Sequence, residues 1–364
     1  MKKLLPMVLL IVASLLPLYS AEADVVVDYS EDGGFFTTNT VAKAALEQAV
    51  SDINSVLDLS SLGAITNDTL TGTSGASAPF TTLNFDFDYS YTNPSTGANE
   101  TIADTTLGAG VIRIFAGARI LNNTTLGPNG NNVLGQGGPG GSGLSGGGTT
   151  GMGTFADAVA NAAANHQHAR GTGPTMFSLS GDIGGAAFSF DMGPTVGNLW
   201  FDSDTDNDNV ADTTSVLNAN WHFDHTTPVA AGKSDFYSVA LHETLHALGL
   251  GGSATWGDLV SGTDWLGADA NSIAGSGIGL IDSGGAHIAS NTLSLTLDGG
   301  VLQEAVMTPS LLIGSRKYLT ELDVAFLRDI NYLTVTAIPE PSSFLAILVL
   351  SAGTLVTRRS RSMR

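Results

Sequence analysis

The chain has 364 residues, no cysteine and a formal net charge of −20. Without cysteine it can form no disulfide and can use no thiolate as a nucleophile or metal ligand, so its stability must come from a hydrophobic core, bound metal and well-shaped loops. Residues 24–337 alone carry 8 basic and 32 acidic side chains, a formal charge of −24, which argues against binding to nucleic acid or an anionic membrane through charge.

The N-terminus has the pattern of a secretory signal peptide. Lys2 and Lys3 precede an apolar run over residues 4–18, and Ala21 and Ala23 are the small residues that a signal peptidase recognises. This pattern predicts that signal peptidase removes residues 1–23 and that the remainder is exported, with an uncleaved anchor as the alternative. The domain that follows, residues 24–337, is long enough to bury a sizeable core in one large domain or two lobes.

The first half of this domain contains sequence patterns of a helix, a long loop and several short strands. Apolar spacing predicts one helix over residues 41–57. The segment 127–153 is dense in glycine and serine, which predicts a long surface loop. It opens no clear helix after a strand and lacks a Lys-Ser/Thr ending, so it does not match a phosphate-binding loop. The predicted strands are residues 24–29, 83–89, 111–119 and 186–191. The last of these is also our candidate for an edge strand that pairs with substrate backbone.

An acidic segment follows, with carboxylates at alternate positions. Such carboxylates can surround a hard cation, so the segment predicts a calcium site, with a solvated acidic turn as the alternative. The match to an EF-hand loop is partial, because Asn207 and Thr213 stand where glycine and glutamate are expected. The candidate calcium ligands are Asp202, Asp204, Asp206 and Asp208.

The most specific chemical signal is the motif His-Glu-Thr-Leu-His at positions 242–246. On a helix, His242 and His246 lie about one turn apart on the same face and can bind one metal ion, at roughly 2.0–2.1 Å if the ion is zinc. Glu243 can then act as general base on a water molecule that the metal activates. The motif predicts a hydrolytic zinc site, and the alternative is a helix with two ordinary histidines.

The residues around this motif predict a buried helix. Asp235 can cap its N-terminus, and apolar residues follow at helical spacing. Gly249 comes almost one turn after His246, where a helix can end with a positive φ. We therefore expect a helix over residues 238–249 that stops just behind its second histidine.

Three segments together resemble a known protease family. The motif helix, the segment 304–310 around Met307, and the segment 320–330 that begins at Thr320 resemble the active-site helix, Met-turn and closing helix of matrixin-like metzincins. The resemblance covers roughly residues 234–331. It implies an α+β zincin fold, in which a two-lobed catalytic domain contains a twisted mixed sheet and the active-site helix. It also implies that Met307 lies beneath the metal.

The third metal ligand departs from the usual metzincin pattern. That pattern places the ligand at position 252, which is Gly252 here. The leishmanolysin branch has a long insertion before its third histidine, and His287 occupies the corresponding place, 41 positions after His246 and 20 before Met307. The resemblance therefore implies His287 as the third ligand. The alternatives are Asp258, Asp264, Asp282 and Glu321.

The C-terminus resembles a sorting signal. Pro-Glu-Pro at positions 339–341 precedes an apolar stretch over residues 344–356, and four arginines follow. The stretch is short for a membrane span, which needs about 20 residues, and the arginines are expected to stay in the cytoplasm. The arrangement resembles the PEP-CTERM signal of Gram-negative bacteria, which implies processing by an exosortase and delivery to the cell surface or extracellular matrix. Residues 338–364 are therefore interpreted as a sorting signal with a short transmembrane helix and an arginine tail, with a plain tail anchor as the alternative.

These observations predict a secreted or cell-surface zinc endopeptidase. Its substrate is a protein or peptide, its metal ions are Zn²⁺ and, in the acidic segment, Ca²⁺, and it meets the membrane only through the C-terminal helix. One alternative is a non-catalytic matrix protein, associated with exopolysaccharide, on a degenerate protease scaffold. Another is a zinc hydrolase that acts on non-peptide substrates.

Overall fold

The computed structural model describes residues 23–65, 69–75, 77–103, 106–121, 133–170, 173–183 and 186–335. The predicted signal peptide, apart from Ala23, and the predicted sorting signal at 338–364 lie outside these residues. Within them, no helix is both long enough and apolar enough to cross a membrane.

Eighteen strands and eight helices lie in the described part of the chain. The strands are β1 (Val25–Asp28), β2 (Leu57–Asp58), β3 (Thr69–Ser74), β4 (Thr81–Thr92), β5 (Asn99–Ile102), β6 (Ile112–Arg119), β7 (Gly135–Pro139), β8 (Gly141–Thr149), β9 (Phe177–Ile183), β10 (Ala186–Met192), β11 (Val196–Asp202), β12 (Trp221–His222), β13 (Ser234–Asp235), β14 (Val260–Ser261), β15 (Asp264–Trp265), β16 (Leu293–Leu295), β17 (Leu302–Glu304) and β18 (Leu333–Thr334). The helices are α1 (Phe35–Thr38), α2 (Thr40–Asn54), α3 (Phe155–Arg170), α4 (Thr214–Asn220), α5 (Phe236–Ala247), α6 (Ala254–Leu259), α7 (Ala268–Ala274) and α8 (Glu321–Asp329).

The main sheet has four strands in the order β1-β6-β11-β7. The first three are parallel, and β7 runs antiparallel to β11, so the sheet is mixed. Every residue of β11 is buried, as expected for an inner strand covered on both faces. Helices α2 and α5 pack against this sheet, and their apolar residues share one hydrophobic core with β6 and β11.

A second four-stranded sheet stands beside the first. In it, β4 pairs with β3 and β5 along one side and with β8 along the other. Helix α3 packs against β3, β4 and β10 and closes a separate core that includes Leu83, Phe85 and Phe190. The sequence indicated a single sheet in this half of the protein, so the second sheet is an addition to the expected architecture.

The prediction of a long surface loop over residues 127–153 is wrong for most of that segment. Residues 135–149 form β7 and β8, and each strand belongs to a four-stranded sheet. Glycine allows this arrangement because β7 lies directly against α5. A Cβ atom added at Gly137 would lie 2.3 Å from the carbonyl oxygen of Glu243. Segment 122–132 lies outside the described residues.

The prediction of an edge strand at residues 186–191 is also wrong in part. The segment does form a strand, β10, but it pairs with β9 in a separate two-stranded hairpin. The strand at the edge of the main sheet beside α5 is β7. The alternation of apolar and polar residues located the strand. It could not show which strand pairs with it, because strand pairing depends on contacts between residues far apart in the chain.

The motif helix, α5, begins and ends two residues before the predicted bounds. Asp235 caps it, accepting a hydrogen bond from the amide of Ser238 at 3.1 Å, as predicted. Gly249 follows with φ = 103°, also as predicted. Beyond it the chain is irregular until α8, which starts with a capping box between Thr320 and Asp323. The mixed sheet and this irregular second half fit an α+β architecture, and the zincin fold itself stays a prediction.

Candidate metal centre

Three histidines converge on one point at the end of α5. The Nε2 atom of His246 lies 3.1 Å from Nε2 of His242 and 3.2 Å from Nε2 of His287. The first two rings come from successive turns of α5. The third comes from the turn between Ile281 and Ile288, which form an antiparallel bridge. The structure therefore brings together the three residues that the sequence proposed as ligands.

Each of these rings is held from behind through its other nitrogen. Nδ1 of His242 lies 2.8 Å from the carbonyl oxygen of Val306, and Nδ1 of His246 lies 2.7 Å from that of Leu250. A carbonyl oxygen can only accept, so Nδ1 carries the proton in both rings and the lone pair is on Nε2. Such partners fix the tautomer and ring orientation of metal-binding histidines.

The third ring is supported by a carboxylate. Nδ1 of His287 lies 3.5 Å from Oδ2 of Asp282, and the amide of His287 donates to Oδ1 of the same carboxylate at 3.2 Å. Asp282 was an alternative third ligand in the sequence, and in the structure it lies behind His287. The sequence offered one signal for this role, since Asp282 and His287 flank a Gly-Gly pair that allows the chain to reverse.

The electrostatics keep the histidines in the form that binds metal. Burial lowers the pKa of His242 well below its usual value and lowers that of His246 to about 4, and it also lowers the pKa of His287. Neutral imidazoles with Nε2 lone pairs facing one another cannot hydrogen bond to each other. Three such nitrogens are a donor set that fits zinc, and a cation between them removes the mutual repulsion of the lone pairs.

Glu243 lies beside this group, between α5 and β7. Its side chain is only 5% exposed, and burial raises the pKa of its carboxyl to about 8. A divalent cation at the neighbouring histidines favours the carboxylate form and opposes that rise. A Cβ atom added at Gly135 would come within 3.1 Å of Oε1 of Glu243, so the strand leaves just enough room for this carboxylate.

The segment around Met307 forms a fixed turn behind the histidines. Met307 is fully buried, and its carbonyl oxygen accepts a hydrogen bond from the amide of Ile288. The buried carboxylate of Asp323 accepts from the amides of Val306 and Met307, each at 3.1 Å. Because the carbonyl of Val306 also accepts a hydrogen bond from His242, this turn connects α8 to the histidine group. Sequence reasoning did not identify Asp323.

The remaining alternatives for the third ligand do not join the histidines. Among the described residues, the groups that could hold a metal are the three histidines and an acidic triad. Asp264 instead accepts a hydrogen bond from the amide of Gly279. A Cβ atom at Gly252 would contact Pro139, so the position expected in most metzincins faces β7 here. Neither Asp258 nor Glu321 is part of either group.

The acidic segment brings together three of its four candidate ligands. Carboxylate oxygens of Asp204, Asp206 and Asp208 lie within 4.8 Å of one another. Asp202 is not in this group. Its Oδ1 accepts from the amides of Leu121 and Asp204. Burial raises the pKa of Asp202 to about 6. The calcium site stays a prediction.

Comparison with known proteins adds no relative. No protein-family model, no curated protein and no solved structure matches this chain. The interpretation of the site therefore depends on its own geometry and chemistry.

Proposed function

We propose that this protein is an exported zinc-dependent endopeptidase. The observation that carries the proposal is the convergence of three Nε2 atoms from His242, His246 and His287, at 3.1 and 3.2 Å, with an acceptor behind each ring. Three protein ligands are typical of catalytic zinc, which keeps a fourth position open. A buried glutamate next to the first ligand supplies the proton acceptor that hydrolysis needs.

The neighbouring strand supports a peptide as the substrate. β7 is the last strand of the main sheet, and among the described residues it pairs only with β11. Its start at Gly135 lies against Glu243. An extended peptide can add to such a sheet edge through main-chain hydrogen bonds, which would hold it alongside the general base. This arrangement favours cleavage within a chain.

Each group then has a defined task. When zinc is bound, it polarises the scissile carbonyl and lowers the pKa of a water molecule. Glu243 accepts a proton from the attacking water and delivers it to the nitrogen of the leaving amine. Val306, Leu250 and Asp282 keep the three imidazoles oriented, and the buried position of Glu243 excludes bulk water from its carboxylate.

The test is casein hydrolysis by the purified domain together with its zinc content. Glu243→Gln keeps the shape of the side chain and removes its basicity, so we expect cleavage to fall by about 10²–10⁴-fold while zinc remains bound. Asp258→Asn, at an exposed carboxylate on α6, is the matched control and keeps full activity. Chelation removes the activity of the wild-type protein.

Three results would contradict this proposal in different ways. Wild-type rates in the Glu243→Gln variant exclude the mechanism. Zinc bound to a wild-type protein that cleaves nothing favours a matrix protein on a degenerate protease scaffold. Hydrolysis of polysaccharides or esters in place of casein favours a zinc hydrolase with a different substrate.

A further inference from the structure

One surface strand has its apolar and polar sides reversed. Along residues 293–297, Leu293, Leu295 and Leu297 are exposed, whereas Ser294 and Thr296 are buried. A strand at the surface of a domain normally turns its apolar side towards the core and its polar side towards water. Here the sequence Leu-Ser-Leu-Thr-Leu places every leucine outward.

The inward polar side chains explain why the strand keeps this orientation. Oγ of Ser294 accepts a hydrogen bond from the amide of Leu322 at 3.2 Å, at the start of α8. Thr296 forms an antiparallel bridge with Thr320, the N-cap of the same helix. A shift by one residue would expose these hydroxyls and bury the leucines, and it would break both contacts.

The reversed strand is part of a larger apolar surface. β16 pairs with β17, and Leu302 lies directly opposite Leu295. Val301, beside it, is also exposed. We call this the leucine surface; its five residues are between 40 and 63% exposed. Large contiguous apolar patches on a protein surface mark sites of interaction with proteins or membranes. The leucine surface consists of Leu293, Leu295, Leu297, Val301 and Leu302.

The chain leaves the described structure next to this surface. Val335 and Leu297 line the same cavity of about 740 Å³. Leu333 and Val335 are themselves partly exposed. Eight residues, 336–343, separate Val335 from the apolar stretch at 344–356, and an extended chain of that length reaches at most about 29 Å. Residue 344 can therefore lie no farther than that from Val335.

The apolar stretch at 344–356 is short for a membrane span. Thirteen residues in helical conformation cover about 20 Å, whereas the hydrocarbon core of a bilayer is about 30 Å thick. A span that is too short draws its flanking residues towards the hydrocarbon or thins the bilayer locally. The strongly acidic domain gains nothing from charge at an anionic lipid surface, so contact must come from apolar side chains.

We propose that the leucine surface rests on the lipid bilayer into which residues 344–356 insert. This contact goes beyond the proposed peptidase activity and replaces the expectation that the protein meets the membrane only through its C-terminal helix, and it rests on insertion of the C-terminal stretch. The leucines enter the interfacial region, where apolar burial stabilises the contact. The domain is then held in one orientation at the membrane and does not pivot freely on its linker.

The absence of cysteine makes a direct test possible. In the full chain, Leu295→Cys introduces a single thiol that carries a polarity-sensitive fluorophore, and the protein is reconstituted into phosphatidylcholine vesicles whose acyl chains bear spin labels. Val210→Cys, at an exposed apolar residue outside the leucine surface, is the matched control. We expect emission from position 295 to shift to shorter wavelength and to be quenched by the lipid, and emission from position 210 to do neither.

The other outcomes overturn the proposal. If the chain floats with the vesicles and position 295 behaves like position 210, the leucine surface does not meet the bilayer. If the fluorophore at 295 is already shielded without lipid, the C-terminal segment or a second copy covers it. If the chain does not float, the contact fails together with the anchor, whereas casein hydrolysis is unaffected. Leu302→Cys repeats the test at the facing strand, and zinc content reports whether each variant is folded.

Discussion

The histidine group and the acidic segment both bring three potential ligands together, and they differ in what the rest of each side chain does. In the histidine group, an acceptor behind each ring leaves one nitrogen lone pair free and aimed at a common point. In the acidic segment, both oxygens of Asp204 accept backbone hydrogen bonds, from the amides of Asp208 and Asn209. Oδ1 of Asp208 likewise accepts from Val210.

This difference shows why proximity of ligand atoms is weak evidence for a metal. The carboxylates of the acidic segment are already used to shape a turn, as aspartates in loops commonly are. The histidines have no such use for their Nε2 atoms, and without a cation their lone pairs repel. The supporting contacts therefore distinguish the two sites.

The largest effect is expected from removal of the third histidine. His287→Ala leaves two ligands from one helix, so zinc affinity should fall by more than the roughly 10–100-fold that loss of a supporting partner costs, and casein hydrolysis should cease. Zinc affinity is measured by competition with a chelating indicator. His225→Gln, at a histidine outside the group, is the control. Unchanged zinc affinity in His287→Ala would exclude this residue as a ligand.

A smaller effect is expected when the support of the third ring is removed. Asp282→Ala frees the His287 ring to rotate, and we expect zinc affinity to fall by about 10–100-fold. Asp282→Asn retains an oxygen that can accept from the amide of His287 and should lose less. The same competition assay ranks the two variants. If Asp282→Ala binds zinc as tightly as wild type, the carboxylate does not position the ring.

The packing of β7 on the motif helix gives a third test. Gly137→Ala places a methyl group 2.3 Å from a backbone oxygen of α5, so the strand must move away, and the free energy of unfolding should fall by about 1–3 kcal/mol. Gly138→Ala, one residue along the same strand, meets no atom within 4 Å and should be nearly neutral. Denaturant unfolding of both variants measures the difference. Equal stabilities would show that β7 and α5 are not in close contact.

The smallest effect concerns calcium. A site with the affinity of extracellular calcium modules, about 10⁻⁴–10⁻³ M, stabilises the fold by about 0.4–1.4 kcal/mol at 1 mM calcium. We expect a small rise in Tm with calcium that disappears in the double variant Asp206→Asn, Asp208→Asn. Asp202→Asn should keep the response, because that carboxylate lies outside the triad. If calcium does not change the Tm of the wild-type protein, the segment is a solvated acidic turn and holds no calcium.

The parts of this structure that were predictable from sequence have local causes. The start of α5 at Asp235 and the N-cap at Thr320 follow from side chains that bond to amides a few residues away. The end of α5 follows from the positive φ of Gly249. The pairing of His242 with His246 follows from helical geometry alone. These signals need no knowledge of the rest of the chain.

The parts that were missed depend on distant contacts. β7 has no apolar alternation. It is a strand because it pairs with β11 and because glycines at 135 and 137 let its backbone lie close to α5. Asp282 and Asp323 act through residues that the fold brings near them. His287 could be proposed only from its order along the chain in a resembling family. Its approach to the other two histidines is a tertiary property.

The most direct test of the account is X-ray absorption at the zinc edge on the folded, exported domain prepared with sufficient zinc. The account predicts one zinc ion per chain with three imidazole nitrogens at roughly 2.0–2.1 Å. A folded domain that contains no metal, or zinc bound mainly by carboxylates, would contradict it.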